Sequence, residues 1–501
     1  MKERSVAEQV RQAVHQARAR VYQVGKVTPL EKFSLPGEGP EVWVKREDLG
    51  PIKAYKWRGA FNAMACLTEE ERARGIVAAS AGNHAQGIAL AAKHLGCRAR
   101  IFMPEPTPQV KQDAVRTHGG EMVNIVLTGD RFSQAQERAL EEVERTGEVF
   151  IPPYDSVPVM GGQGTLADEV VMQAEAPFDR VYLAIGGGGM ASAVAVWLKS
   201  YWPEIRIIGV EGEAQASMKA ALEHGEPWEL DYVDLFCDGT AVTKVGTLTR
   251  EICQEFLDEI ITVSNGEVAQ AIRAHWERLR VIPEPSGAMS LAGYLQDQEA
   301  GKVRARERVL TVLCGANMDF AKVADISHRA ALGRSREEAW SFQIEEKNGS
   351  LVELLEQLPD GTTILDLQYG RVRGKKQKPV LTVGLSNETW PGFRKWAGTL
   401  GEEVSPFSVR YRVIPFTPAL YAAPLYVEVE FPERAGALLA FMREVRPYAS
   451  LCYFNYTYSG ERVGRALLGL DFGSEDKRSA QQGKVFALAG RVVRSVQSVQ
   501  L

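Results

Sequence analysis

Between Glu41 and Gly315, apolar runs of four or five residues alternate with longer stretches whose apolar positions recur every three or four residues. The runs VWVK, IVAAS, ARIFM, VYLAI, IIGVE and VLTVL are nearly free of charge and many are rich in β-branched residues. They predict strands buried on both faces, because a strand with one wet face alternates apolar with polar. Stretches such as AQGIALAAKHLG and MASAVAVWLKSYW have the spacing of helices. The alternation predicts βαβ units in mostly parallel sheets, an α/β fold. Ahead of it, Val6, Val10 and Val14 stand at i, i+4 and i+8, which predicts an amphipathic helix packed on the body.

The rhythm changes after ADISHRAALGRSREEA. Two segments then repeat one another at an offset of 87 residues, Phe342–Leu358 on a stretch ending at Val445, with Gly349 on Gly436 and Leu351 on Leu438. Leu354, Leu355 and Leu358 fall on Phe441, Met442 and Val445, and further on Ile364 falls on Leu451 and Leu381 on Leu468. Each copy predicts a strand, a glycine turn, an amphipathic helix, a strand, a hairpin and a strand. Two copies predict paired α+β modules, too few for a solenoid. With Arg336 as the boundary, the chain divides into a leading unit 1–335 and modules 336–420 and 421–501.

The chain has 501 residues, 45% of them apolar and 25% charged, which is the make-up of a globular protein with ample core. A net charge of −5 gives no support to nucleic acid or an acidic membrane surface as a partner. The N-terminal stretch lacks the apolar core of a signal peptide, and no apolar segment is long enough to span a bilayer. Six scattered cysteines predict neither a disulfide framework nor a zinc cluster. A cytoplasmic protein is expected.

Three stretches carry candidate chemistry. In VYLAIGGGGMAS, Gly186, Gly187, Gly188 and Gly189 follow a strand and precede a helix that opens at Met190. Bare N–H groups at a helix start bind anions, so a phosphate is expected there, though a turn relieved of crowding has the same signature. In AYKWRGAFN, Lys56 lies between Tyr55 and Trp57. Aromatic neighbours that strip water from an amine lower its pKa and favour condensation with a carbonyl. In ASAGNHAQG, residues Ser80, Gly82, Asn83, His84 and Ala85 form a second strand-to-helix turn, sized for a carboxylate. A capped helix alone has the same look.

Together the three resemble the pyridoxal-phosphate (PLP) enzymes of the tryptophan-synthase-β class, and within them the threonine dehydratases. KREDLGP, AYKWRGAFN, SAGNHAQG, MPEPTPQVK, GGQGT, GGGGM, GVEGEAQASM, DGTAV, EPSGA and CGANMDF carry the likeness in order, from Leu30 to about Val323. The C-terminal pair resembles the ACT-like regulatory modules of the long biosynthetic forms. The resemblance implies a two-lobed catalytic domain. In it Lys56 holds the PLP aldehyde as a Schiff base, Gly186–Met190 holds the phosphate and Asn83 bonds the ring hydroxyl. Ser80, Gly82, Asn83, His84 and Ala85 then receive the substrate carboxylate, and Cys314 faces the pyridine nitrogen.

By the same resemblance the substrate is L-threonine, with L-serine as a second. The effectors are isoleucine as inhibitor and valine as activator, and the assembly is a homo-oligomer, dimer or tetramer. The chain departs from the family at Ala54, where serine is common, and at Lys53 and Trp57. Glu211 matches one metal ligand of related serine racemases but Ser217 replaces the other, so no divalent metal is expected. A serine dehydratase, a racemase or another β-replacing enzyme fits the same motifs. An NAD-dependent oxidoreductase and a catalytically silent amino-acid sensor are the readings from other classes.

Overall fold

A computed structural model describes residues 4–35, 39–130, 132–332, 336–345, 350–371, 377–386, 388–404, 418–432, 437–457 and 463–499. The chain divides into two compact units, Met1–Ala330 and Ala331–Leu501.

The first unit contains two sheets. One has six strands in the order β1 (Leu30–Lys32), β2 (Glu41–Arg46), β10 (Arg308–Leu313), β7 (Arg180–Ala184), β8 (Arg206–Gly212) and β9 (Glu259–Val263). Only β1 runs antiparallel, so the expectation of mostly parallel sheets holds. The other is fully parallel, in the order β5 (Val123–Leu127), β4 (Ala99–Met103), β3 (Ile76–Ala79) and β6 (Val149–Phe150).

Helices complete the first unit, among them α1 (Val6–Val21), α2 (Trp57–Ala65), α3 (Asn83–Leu95), α4 (Val157–Gln173), α5 (Gly189–Tyr201) and α6 (Pro285–Glu299). Helix α1 forms where its valines predicted. Ser5 and Glu8 cap it reciprocally, and Val10 and Val14 are buried in the main core. Strands β5, β6 and β9, only partly buried, were not among the predicted runs.

The second unit is one antiparallel sheet of eight strands, in the order β14 (Gly401–Val404), β11 (Arg336–Phe342), β13 (Val380–Leu385), β12 (Thr363–Gly370), β16 (Ser450–Thr457), β17 (Val463–Asp471), β15 (Pro424–Pro432) and β18 (Ser495–Val499). Helices α7 (Ser350–Glu356), α8 (Trp390–Ala397), α9 (Ala437–Val445) and α10 (Glu475–Phe486) complete two βαββαβ halves, each adding a helix and a fourth strand to the predicted repeat. The repeat itself is plain in the core. Leu351, Leu354 and Leu355 of α7 are buried together with Phe441, Met442 and Val445 of α9. The halves join where β12 pairs with its own counterpart β16, and Gln368 lies opposite Asn455. Those two residues are themselves 87 apart, so a local two-fold axis passes between them. The glycine turns at Gly349 and Gly436 lie outside the described residues.

Candidate active site

Three strand ends of the first unit lead into the predicted stretches. Strand β3 runs into Ser80–Asn83, β7 into Gly186–Gly189, and β10 into Cys314–Asn317. Ligands of parallel sheets gather outside such carboxyl ends. Side chains from these turns also meet. The Asn83 Nδ2 group donates to Glu284 Oε1 at 2.7 Å, and Asn317 Nδ2 donates to Asn83 Oδ1 at 2.8 Å. Cys314 Sγ lies 3.8 Å from Met190 Sδ, and the Tyr55 N–H donates to the Cys314 carbonyl at 3.0 Å.

Lys56 stands just ahead of α2, and its amine donates to the Tyr55 hydroxyl at 3.1 Å. Trp57 does not share that environment. Its ring packs with Ala17, Val21, Ile52 and Ala54, so only one of the two aromatic neighbours flanks the amine. Burial pulls the Lys56 amine down, but Tyr55, Glu284 and Cys314 more than offset it and leave the free amine above its ordinary value. The lowering expected from aromatic desolvation is therefore offset by the ionisable groups gathered around the amine.

The segment bearing Lys56 is anchored by a fully buried charge network that was not anticipated. Arg58 bonds Glu47 at 2.8 Å and Glu169 of α4 at 2.6 Å, and Lys45 bonds Glu169 at 2.6 Å. Two cations and two carboxylates balance, which is the condition for burying them. Removing one partner would leave an uncompensated charge, at a cost of about 3–5 kcal/mol.

The glycine run has a cause in the packing around it. A Cβ on Gly187 would overlap the Tyr154 ring, and one on Gly186 would come within 2.9 Å of the Thr240 backbone. Gly188 takes φ +89°, a conformation open chiefly to glycine. The bare backbone then feeds α5, whose first N–H groups have no partner within the helix.

The Ser80 turn is different. Ser80 Oγ accepts the Gly82 N–H at 3.2 Å, and a Cβ on Gly82 would meet nothing within 4 Å. His84 points the other way: its ring Nε2 faces the Ile151 carbonyl at 3.0 Å, and burial pushes its pKa down to about 4, so the ring is neutral. A carbonyl only accepts, so Nε2 carries the hydrogen. The other ring nitrogen, Nδ1, is buried without a hydrogen-bond partner among the described residues, and Ala85 beside it is buried.

Glu284, in the EPSGA stretch, is the residue whose importance sequence reasoning missed. Burial pushes its carboxyl up to about 7, with Asp238 adding to the rise and Asn83, Lys56 and Lys111 opposing it. Cys314 is buried and its thiol is pushed far up by burial, so it is neutral. Glu211 uses both carboxylate oxygens to accept the N–H groups of Met218 and Lys219, at 2.8 and 2.9 Å, beside the buried Ser217.

A buried lysine amine, bare helix-start N–H groups, an amide donor and a neutral thiol fit an aldehyde cofactor with a phosphate, a ring oxygen and a ring nitrogen. Fold and site define a PLP-dependent enzyme. The family described as "Pyridoxal-phosphate dependent enzyme" matches residues 21–315, and "C-terminal regulatory domain of Threonine dehydratase" matches residues 422–485. The chain is 37% identical to the L-threonine dehydratase biosynthetic IlvA of Escherichia coli over 476 residues, 92% of this chain and 90% of that protein. It is 33% identical to the chloroplastic biosynthetic threonine dehydratase of Arabidopsis thaliana over 481 residues, 93% of this chain and 79% of that one. Among solved structures, the processed threonine deaminase isoform 2 of Solanum lycopersicum matches with TM-score 0.62 and 40% identity, over 64% of this chain and 94% of that one. Maize serine racemase matches with TM-score 0.58 and 28% identity, over 64% and 97%. The chain belongs to the threonine dehydratase family of PLP-dependent enzymes.

Proposed function

We propose that this enzyme eliminates the β-hydroxyl of L-threonine as water, and that water then hydrolyses the released enamine to 2-oxobutanoate and ammonia, the entry reaction of isoleucine synthesis. The observation that carries this reading is identity above one third to biosynthetic threonine dehydratases over more than nine tenths of the chain, regulatory region included. PLP, when bound, supplies an electron sink for the pair left by the Cα–H bond. Lys56 would hold the cofactor aldehyde, and the same amine would take the Cα proton. The N–H groups of Gly186–Met190 hold the phosphate, and Asn83 donates to the ring oxygen. The turn of Ser80, Gly82, Asn83, His84 and Ala85 orients the substrate carboxylate. Cys314, a buried neutral thiol, would face the ring nitrogen and offer it no counter-anion, a setting that would suit elimination.

Residues 1–335 form the catalytic part, and 336–420 and 421–501 are paired effector sensors through which isoleucine lowers turnover and valine raises it. L-serine is a second substrate, and the enzyme works in the cytoplasm as a homo-oligomer, tetramer or dimer. The duplicated βαββαβ halves support a paired sensor. The test is turnover of L-threonine to 2-oxobutanoate by the PLP-loaded protein, with and without isoleucine. Loaded protein that leaves L-threonine intact overturns the reading, and unchanged turnover in isoleucine overturns the sensor assignment.

A further inference from the structure

The two ends of an amide side chain have nearly the same shape and opposite chemistry, so something must decide which end of Asn83 faces the cofactor. The decision begins at a backbone carbonyl. Asn317 Nδ2 lies 2.6 Å from the carbonyl oxygen of Ile52, which can only accept, and 2.8 Å from Asn83 Oδ1. Both hydrogens of Asn317 are spent on those two acceptors. Asn83 Oδ1 is thereby held as an acceptor, and its Nδ2 is turned to Glu284 Oε1 at 2.7 Å. One Nδ2 hydrogen goes to Glu284. The second is left over.

We propose that Asn317 and Glu284 are positioning residues that fix the Asn83 amide so that an N–H, and not its carbonyl, faces the ring oxygen of the cofactor. The inference rests on the reading that PLP sits at Lys56 with its ring oxygen at Asn83. An N–H donor favours the ionised ring oxygen, and a carbonyl in the same place favours the protonated one. The geometry supports a fixed orientation because Asn317 stands on the turn after β10, Asn83 at the start of α3 and Glu284 ahead of α6. Three separately anchored elements must agree for the amide to turn.

The experiment uses the PLP-loaded enzyme carrying Asn317→Ala, Asn317→Asp or Glu284→Gln. It measures the visible absorbance, the PLP dissociation constant and, after borohydride reduction, the position of the trapped adduct. Asn317→Asp is nearly isosteric and keeps the measurement available if the alanine variant does not fold. Both Asn317 variants are expected to move absorbance from the band of the ionised ring oxygen toward that of the protonated one, and to weaken PLP binding about tenfold, the worth of roughly one hydrogen bond. Glu284→Gln keeps an acceptor for Asn83 Nδ2 and is expected to keep the wild-type band. A general structural role for Asn317 would lower the melting temperature and leave the band in place, and that result overturns the inference. An adduct absent from Lys56 in the wild type overturns the underlying reading and the inference with it. An adduct at Lys56 with the spectra of both Asn317 variants unmoved overturns the inference alone.

Discussion

The two strand-to-helix turns of the catalytic unit differ in how much room their glycines have. At Gly186–Gly189 the backbone is crowded from the protein side by Thr240, Tyr154 and Met218. At Gly82 an added methyl group would touch nothing within 4 Å. Both turns end in a helix start that attracts anions. The packed turn suits a group that stays, as a cofactor phosphate does. The open turn suits one that comes and goes with each turnover, as a substrate carboxylate does. Bareness alone does not separate the two; what surrounds the bare backbone does.

A large effect on cofactor and fold together is expected from Gly187→Ala. The new methyl group and the Tyr154 ring claim the same space, and overpacking of this kind costs about 1–3 kcal/mol. Cofactor occupancy, read from absorbance, and melting temperature are both expected to fall. If Tyr154 is the cause, Tyr154→Ala combined with Gly187→Ala recovers part of the loss, a coupling that the double-mutant cycle measures. Additive losses would show that the crowding of this turn is not what requires glycine.

A second prediction concerns Glu284, the carboxyl bonded to Asn83 of the open turn. Its folded pKa of about 7 stands above the ordinary 4.5. The folded protein therefore holds this proton to higher pH than the unfolded chain does. That contribution to stability is complete below pH 4.5 and is lost as pH rises to about 7, a span of roughly 3 kcal/mol. Burial is the chief cause and Asp238 adds to it, while Asn83, Lys56 and Lys111 oppose it. Glu284→Gln has no such proton to lose. The stability of the variant relative to wild type should rise between pH 4.5 and 7 and level off above, as denaturant unfolding at a series of pH values would show. A flat difference would mean that the carboxyl titrates normally.

Much of the catalytic unit was legible because strands buried on both faces have a simple signature. Strands β2, β3, β4, β7, β8 and β10 are such runs, and β5 and β9 escaped because their faces are only partly covered. In the second unit the repeat was visible where both copies bury aliphatic side chains on a helix. The second helices were not, since WPGFRKWA of α8 and EDKRSAQQGKVF of α10 share no pattern of apolar positions. Lys56 stood out among its aromatic neighbours, but adjacency in sequence misled at a helix start, where Tyr55 and Trp57 point to different surroundings. Glu284 and Asn317 act on Asn83 from 201 and 234 residues away. No local pattern announces such a meeting.

The smallest effect on the fold, and the sharpest contrast, is expected from Gly82→Ala. Its φ of −130° lies outside the left-handed region, and the methyl group enters open space. Stability should stay within about 0.5 kcal/mol of wild type, as for an uncrowded surface change, and cofactor occupancy should be unaltered. The cost falls on the substrate, because the methyl group takes room in which a carboxylate must approach the N–H groups of the turn. A KM for L-threonine raised about tenfold, with PLP affinity unchanged, corresponds to roughly 1.4 kcal/mol of lost binding. If Gly82→Ala instead weakens PLP and spares KM, the two turns do not divide their ligands as their packing implies. In that case the open turn, and not the crowded one, belongs to the cofactor.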